Sequence, residues 1–198
     1  MINTLLIPRL YGFAAPHWQQ WWERVDSSGR IVRQKSWSRP CPGQWLTEIA
    51  VAVLVHPGAG LVGHSGGTIA IVRVLTQSSQ IKIASALLVA PAETSKAVRT
   101  EVFGMIHEAG LGVLTIVAAS QNVSWTDHSR VQVLAVAWEA DMIAMGDTVH
   151  INVESGFRPL SKSRTIRDSM WALPGIPQRF AGPVRSGTPQ QGGLTCPA

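Results

Sequence analysis

The stretch Leu61-Val62-Gly63-His64-Ser65-Gly66-Gly67 decides the fold. An apolar run ends there in Gly-x-Ser-x-Gly and passes directly into the apolar, helix-compatible segment Thr68 to Thr76. The pattern predicts a strand, a sharp turn with Ser65 at its tip and a helix, the arrangement known as a nucleophile elbow. Such a turn strains the backbone so that the Ser hydroxyl stands clear of the sheet, and side chains at Gly63 and Gly67 would collide with the neighbouring strand and helix. The N–H of Gly66, at the helix start, is expected to point at a substrate carbonyl oxygen and supply half of an oxyanion hole.

Before the elbow, residues 3 to 8 read as a short buried strand ended by Pro8, and the loop Arg9 to Pro16 follows. A loop after a first strand is where hydrolases of this architecture find a second oxyanion donor, here near Leu10 or Tyr11. The run His17-Trp18-Gln19-Gln20-Trp21-Trp22-Glu23-Arg24 places aromatics on one helical face. Trp21 and Trp22 read as core, whereas His17 and Trp18, nearer the loop, are candidates for lining a pocket. Ile31 to Trp37 reads as a second strand, and Trp45, Leu46, Ile49, Ala52 and Val53 fall at helical spacing between Gln44 and His56.

After the elbow, Ala86 to Val89 and Val113 to Ala118 are continuous apolar strands, separated by Glu93 to Gly112, which has no clean period and suggests a lid-like or irregular excursion. Thr126 suits the N-cap of a helix whose Val131, Leu134, Ala135 and Trp138 share a face, and Asp141 to Met145 is the last strand, with Gly146 to His150 the loop at its end. A weaker helix is expected over Lys162 to Trp171. Alternation of strands and helices predicts a three-layer, doubly wound α/β domain with a mostly parallel sheet over residues 1–173. Residues 174–198 are rich in Pro, Gly, Gln and Ser without apolar periodicity, and read as a disordered tail.

Composition narrows the function classes. A hydrophobic fraction of 45% and a charged fraction of 15% suit a globular chain with one large core. No apolar run reaches the ~18 residues of a membrane span, and the N-terminus lacks the features of a secretory signal, so a cytoplasmic location is the default expectation. The net charge of +5 is spread over singly scattered Lys and Arg residues, which argues against nucleic-acid binding. Cys41 and Cys196 lie far apart outside any Cys/His cluster, so neither a metal site nor a disulfide framework is expected.

An activated Ser needs a base. In doubly wound hydrolases the order along the chain is Ser, acid, His, with the acid and base on loops at the carboxyl ends of later strands. Of the six histidines, His150 alone sits on a loop after the final strand.

These features resemble the small serine hydrolases related to retinoblastoma-binding protein 9, within the α/β-hydrolase superfamily. The likeness runs from about Thr4 to Trp171. It rests on His17-Trp18-Gln19, Ser36-Trp37, the elbow, Ala86 to Pro91, Val117 to Ser120 and, most specifically, His150-Ile151-Asn152-Val153-Glu154-Ser155-Gly156-Phe157. The resemblance implies a cofactor-free hydrolase with Ser65 as nucleophile and His150 as general base.

Two departures stand out. The family's motif resembles Ser-x-Asn-Asp-Pro-Tyr, with the Asp as triad acid, whereas this chain reads Ser120-Gln121-Asn122-Val123-Ser124-Trp125. Val123 occupies the acid position and cannot accept the imidazole N–H. The family's Pro-Gly after the first strand is Pro8-Arg9, which sets a cation beside the second oxyanion donor. Asp127 is the provisional replacement acid, although a carboxylate there also suits the first turn of a helix. Asp147 and Glu154, close to His150, are weaker candidates because neither lies on the loop the geometry prefers.

The leading expectation is a serine hydrolase acting on small esters through an acyl-enzyme. Ser65, His150 and Asp127 form its catalytic set, the Gly66 and Leu10 amides its oxyanion hole, and His17, Trp18 and Trp125 its pocket, without metal or cofactor. The alternative is a catalytically impaired homologue that binds a ligand or a protein partner through the same pocket, motivated by Val123 and Arg9.

Overall fold

In a computed structural model, residues 2–12, 17–78, 80–94, 100–120, 126–146 and 167–168 are described. Strands β1 (Thr4–Ile7), β2 (Gly29–Ile31), β3 (Ala59–His64), β4 (Ile83–Val89), β5 (Leu114–Ala119) and β6 (Asp141–Ala144) alternate with helices α1 (Trp18–Val25), α2 (Pro42–Val55), α3 (Gly66–Gln77) and α4 (His128–Ala137). The strands form one sheet in the order β2-β1-β3-β4-β5-β6, and every neighbouring pair is parallel. This is the parallel, doubly wound arrangement that the alternation of elements predicts, and the α/β-hydrolase fold that the resemblance implies.

Parallel strands are covered on both faces, which explains why β3 and β4 are buried along their whole length. Successive side chains divide between the two faces. Leu5 and Ile7 of β1 join Leu61, Leu88 and Val117 against Trp45 and Ile49 of α2, Ile69 and Val72 of α3, and Leu134 of α4. Leu6, with Val62, Leu87 and Ala118, packs instead against Trp18 and Trp22 of α1. Helices therefore flank both faces.

Several local expectations are corrected. The second strand is Gly29–Ile31 and not residues 31–37. After Val32, whose N–H donates to Leu6 O, the chain turns away: the Lys35 N–H donates to the Glu48 carboxylate, and Trp37 O accepts from Tyr11 N. The N-cap of α4 is Asp127, because the Thr126 hydroxyl is buried and donates at 2.8 Å to Pro91 O.

The described part of the excursion between β4 and β5 is not a lid. It holds a 3-10 turn, Glu101–Phe103, and buries Phe103, Ile106 and Leu111 in the core. Arg130 of α4 fastens it by bonding Glu93 through Nε at 2.7 Å and Glu108 through a terminal nitrogen at 2.6 Å. The hydrogen bonds it donates to Glu108 and Glu93 raise the affinity of that guanidinium for its proton. Cys41, the N-cap of α2, is disulfide-bonded, contrary to the expectation for the cysteines.

At the amino-terminal edge of the sheet, Arg167 bonds Asp26 at 2.6 Å and the Thr4 hydroxyl at 3.1 Å, with its guanidinium 4.7 Å from the Trp22 ring centroid. This joins the end of α1 and the start of β1 to a residue far along the chain. Arg167 and Asp168 are the described, helical part of the segment expected as a late helix; the remainder of that segment and residues 174–198 lie outside the described residues.

Candidate active site

The carboxyl ends of β1 and β3 are adjacent, while the chain leaving β1 turns one way to α1 and β2 and the chain leaving β3 turns the other way to β4. Such a switch point opens a crevice at the carboxyl edge of a doubly wound sheet. Ser65 sits at that edge, between β3 and α3, with φ 52° and ψ −120°. An L-residue in this region costs about 1–3 kcal/mol, so the surroundings must hold it there. Hydrogen bonds among the described residues contribute to this. Ser65 N donates to Val89 O at 3.0 Å, and Ser65 O accepts from Thr68 N at 2.9 Å and from the Thr68 hydroxyl at 2.6 Å.

The flanking glycines are required by contact. A Cβ on Gly67 would lie 2.3 Å from Ile7 O and 2.6 Å from Pro8 O, both backbone atoms. On Gly63 it would lie 2.7 Å from Ile71 Cδ1 and 3.0 Å from the Thr68 backbone. The elbow therefore packs directly on the chain leaving β1.

That packing brings a second amide beside the first turn of α3. A Cβ built on Gly66 would meet Leu10 Cγ at 3.0 Å and Leu10 N at 3.5 Å. Tyr11 and Gly12 form a left-handed turn, with φ 67° and 64°, and the Tyr11 N–H is committed to Trp37 O at 2.9 Å. Of the two expected second donors, Leu10 is the one whose amide makes no hydrogen bond among the described residues. Gly66 is the first residue of α3, where helix amides lack intrahelical acceptors and the dipole favours negative charge. Arg9, next to Leu10, is half-buried, and its Nε makes no hydrogen bond among the described residues.

The described residues that follow β5 and β6 and open α4 meet at the same edge. The Ser120 hydroxyl, just past β5, donates to Gly146 O at 2.9 Å, and Ser120 O lies 3.3 Å from His128 Nδ1, which must therefore carry the proton. These bonds tie the ends of β5, β6 and α4 together. Asp127, exposed at the N-cap of α4, makes no capping hydrogen bond with its side chain. Val123, Trp125, Asp147, His150 and Glu154 lie outside the described residues; the loop bearing His150 starts from Gly146 at this edge.

His17 and Trp18 are buried. His17 is the N-cap of α1: its Nδ1 accepts from Gln19 N at 3.3 Å, and Gln20 completes a capping box. Its ring stands 5.0 Å from that of His64, and Trp18 packs against both His64 and Trp22. Both residues thus have capping and packing roles directly beneath the elbow. The sequence reading gave no role to Gln19, which is fully buried and whose Nε2 donates to Ile7 O at 3.2 Å and Val62 O at 3.3 Å. A polar residue between two buried tryptophans on a short helix was the available signal.

Among the described residues no cluster of His, Cys, Asp or Glu could hold a metal ion, and no helix is long and apolar enough to cross a membrane. No curated protein sequence matches the chain. Among solved structures, a YdeN-like hydrolase of Pectobacterium atrosepticum is 31% identical, with a TM-score of 0.78 over 86% of this chain and 90% of its own. The ydeN gene product of Bacillus subtilis (18% identity, TM-score 0.75, 87% and 100% covered) and a monoacylglycerol lipase of Palaeococcus ferrophilus (10%, 0.59, 84% and 91%) share the fold. The sequence profile of the family described as serine hydrolase matches residues 4–167, a span that holds the strained Ser65, its glycines and the whole sheet, and the chain belongs to that family.

Proposed function

We propose that this serine hydrolase cleaves small esters through an acyl-enzyme. The observation that carries the reading is Ser65 held at φ 52° between β3 and α3, with the Leu10 amide nitrogen beside the first residue of α3, 3.5 Å from where a Cβ on Gly66 would lie. Ser65 Oγ attacks the ester carbonyl carbon while its proton passes to the imidazole of His150. The carbonyl oxygen, now negative, is met by the two amides, a form of stabilisation in which each donor is worth roughly 10²–10³ in kcat. The imidazolium returns the proton to the departing alcohol, and water repeats the sequence to release the acid. Asp127 is the proposed partner of His150, at the start of the helix that follows β5. The likeness to the retinoblastoma-binding protein 9 group supports the assignment of His150 through the string from His150 to Phe157.

Turnover of p-nitrophenyl acetate tests the reading. Ser65→Ala and His150→Ala are expected to abolish it, and Asp127→Asn to lower kcat by about 10²–10⁴ with little change in KM. An unaltered rate in Asp127→Asn would remove Asp127 from the mechanism. Val123 favours the second reading, a pocket that binds without turnover, since a triad that lacks its acid loses on the order of 10⁴ in kcat. Turnover by the wild-type chain that is abolished in Ser65→Ala decides for the enzyme.

A further inference from the structure

We infer that Gln19 is a positioning residue that sets the spacing of the two oxyanion donors. The inference rests on the proposed catalytic reading of Ser65. Gln19 lies on α1 and is fully buried, yet its side-chain nitrogen reaches Ile7 O at 3.2 Å and Val62 O at 3.3 Å. Both acceptors are carbonyls, so the group facing them must be the amide NH2, and its two hydrogens serve one strand each.

The two carbonyls sit at the seam where the site is built. Leu6 pairs with Val62 and Ile7 with Gly63, at the last turnings of β1 and β3 before the elbow. Pro8 follows Ile7 and has no N–H, so β1 offers no further donor to this seam. Ile7 O is also the atom that a Cβ on Gly67 would meet at 2.3 Å, which makes it the point of contact between the chain leaving β1 and the first turn of α3. Gln19 thus grips the seam at the joint that Leu10 N departs from on one side and Gly66 N on the other. Among the described residues its own Oε1 has no hydrogen-bond partner, a cost tolerated at a position where the NH2 is committed twice.

Gln19→Met keeps length and volume but removes both donors. It is expected to lower kcat for p-nitrophenyl acetate by about ten- to a hundredfold with KM nearly unchanged, the scale of a misplaced oxyanion donor. Amide hydrogen exchange over residues 5–12 is expected to speed up while that of β4 and β5 stays at the wild-type rate. Asp26→Asn, which perturbs the opposite edge of the sheet, serves as the control for general destabilisation and is expected to leave kcat unchanged. Wild-type kcat in Gln19→Met, or a fall in kcat matched by Asp26→Asn at equal loss of Tm, would overturn the inference. If the wild-type chain itself does not turn over, the catalytic reading fails separately, and the exchange measurement decides the clamp: unchanged exchange over residues 5–12 rejects it. If Gln19→Met does not fold, Gln19→Glu retains the shape and, when protonated, one donor. Its kcat should then fall further below wild type as pH rises and the carboxyl ionises, and a wild-type pH profile would reject the assignment.

Discussion

At Ser65 the strained backbone and the steric demands of the neighbouring residues yield two measurable consequences. Glycine adopts φ 52° without the penalty an L-side chain incurs, so Ser65→Gly is expected to be at least as stable as Ser65→Ala in thermal denaturation, although both lack the nucleophile. A Tm for Ser65→Gly well below that of Ser65→Ala would contradict the strain. At Gly67 a methyl group would lie 2.3 Å from a backbone oxygen that has no flexible side chain to move aside. Gly67→Ala is therefore expected to cost about 1–3 kcal/mol in urea denaturation and to lower turnover further by pushing the chain leaving β1 away from the elbow. The motif made both glycines legible in the sequence. Gln19 entered the sequence reading only within the string His17-Trp18-Gln19 and without a role, because a period-based reading assigns the buried face by its tryptophans and gives no reason to bury an amide until the two carbonyls it serves are known.

Among the elements, β3, α3 and β4 followed from continuous apolar runs, since a strand covered on both faces leaves no other pattern. Expectations failed where polar groups redirected the chain. The second strand ends at Ile31 because Glu48 and Tyr11 capture the backbone of residues 35–37, contacts between segments distant in sequence. The helix after β5 starts at Asp127 and not Thr126 because Pro91 O claims the threonine hydroxyl. The link between α1, β1 and Arg167 is of the same kind. Burial alone would raise the Asp26 carboxyl, but hydrogen bonds from Ser28 and Arg167 outweigh it and hold the group well below the ordinary carboxylate range. A depressed native value contributes stability above the unfolded value near 4, and this stability is lost as pH falls towards the native value. Asp26→Asn is thus expected to flatten the acid limb of the stability curve below about pH 5, as followed by urea denaturation at stepped pH; an acid limb as steep as that of wild type would contradict the pairing. Arg167→Leu leaves the carboxylate buried without its partner and is expected to cost about 3–5 kcal/mol.

For the whole molecule, one parallel sheet places the carboxyl ends of its strands at a single edge. β3 delivers Ser65, β1 delivers Leu10, and β5 and β6 end in loops joined by the Ser120–Gly146 bond, from which the chain runs on to His150. The alternation of elements disclosed this arrangement, and the family match over residues 4–167 agrees with it. The replacement of the expected acid by Val123 leaves one question central: whether Ser65 is an activated nucleophile. Intact-mass analysis after incubation with a fluorophosphonate answers it most directly, because phosphonylation requires an activated serine beside an oxyanion hole and does not depend on the choice of ester. A single adduct that maps to Ser65 and is absent from Ser65→Ala is the predicted result. A folded wild-type protein that acquires no adduct above the Ser65→Ala background would contradict the account.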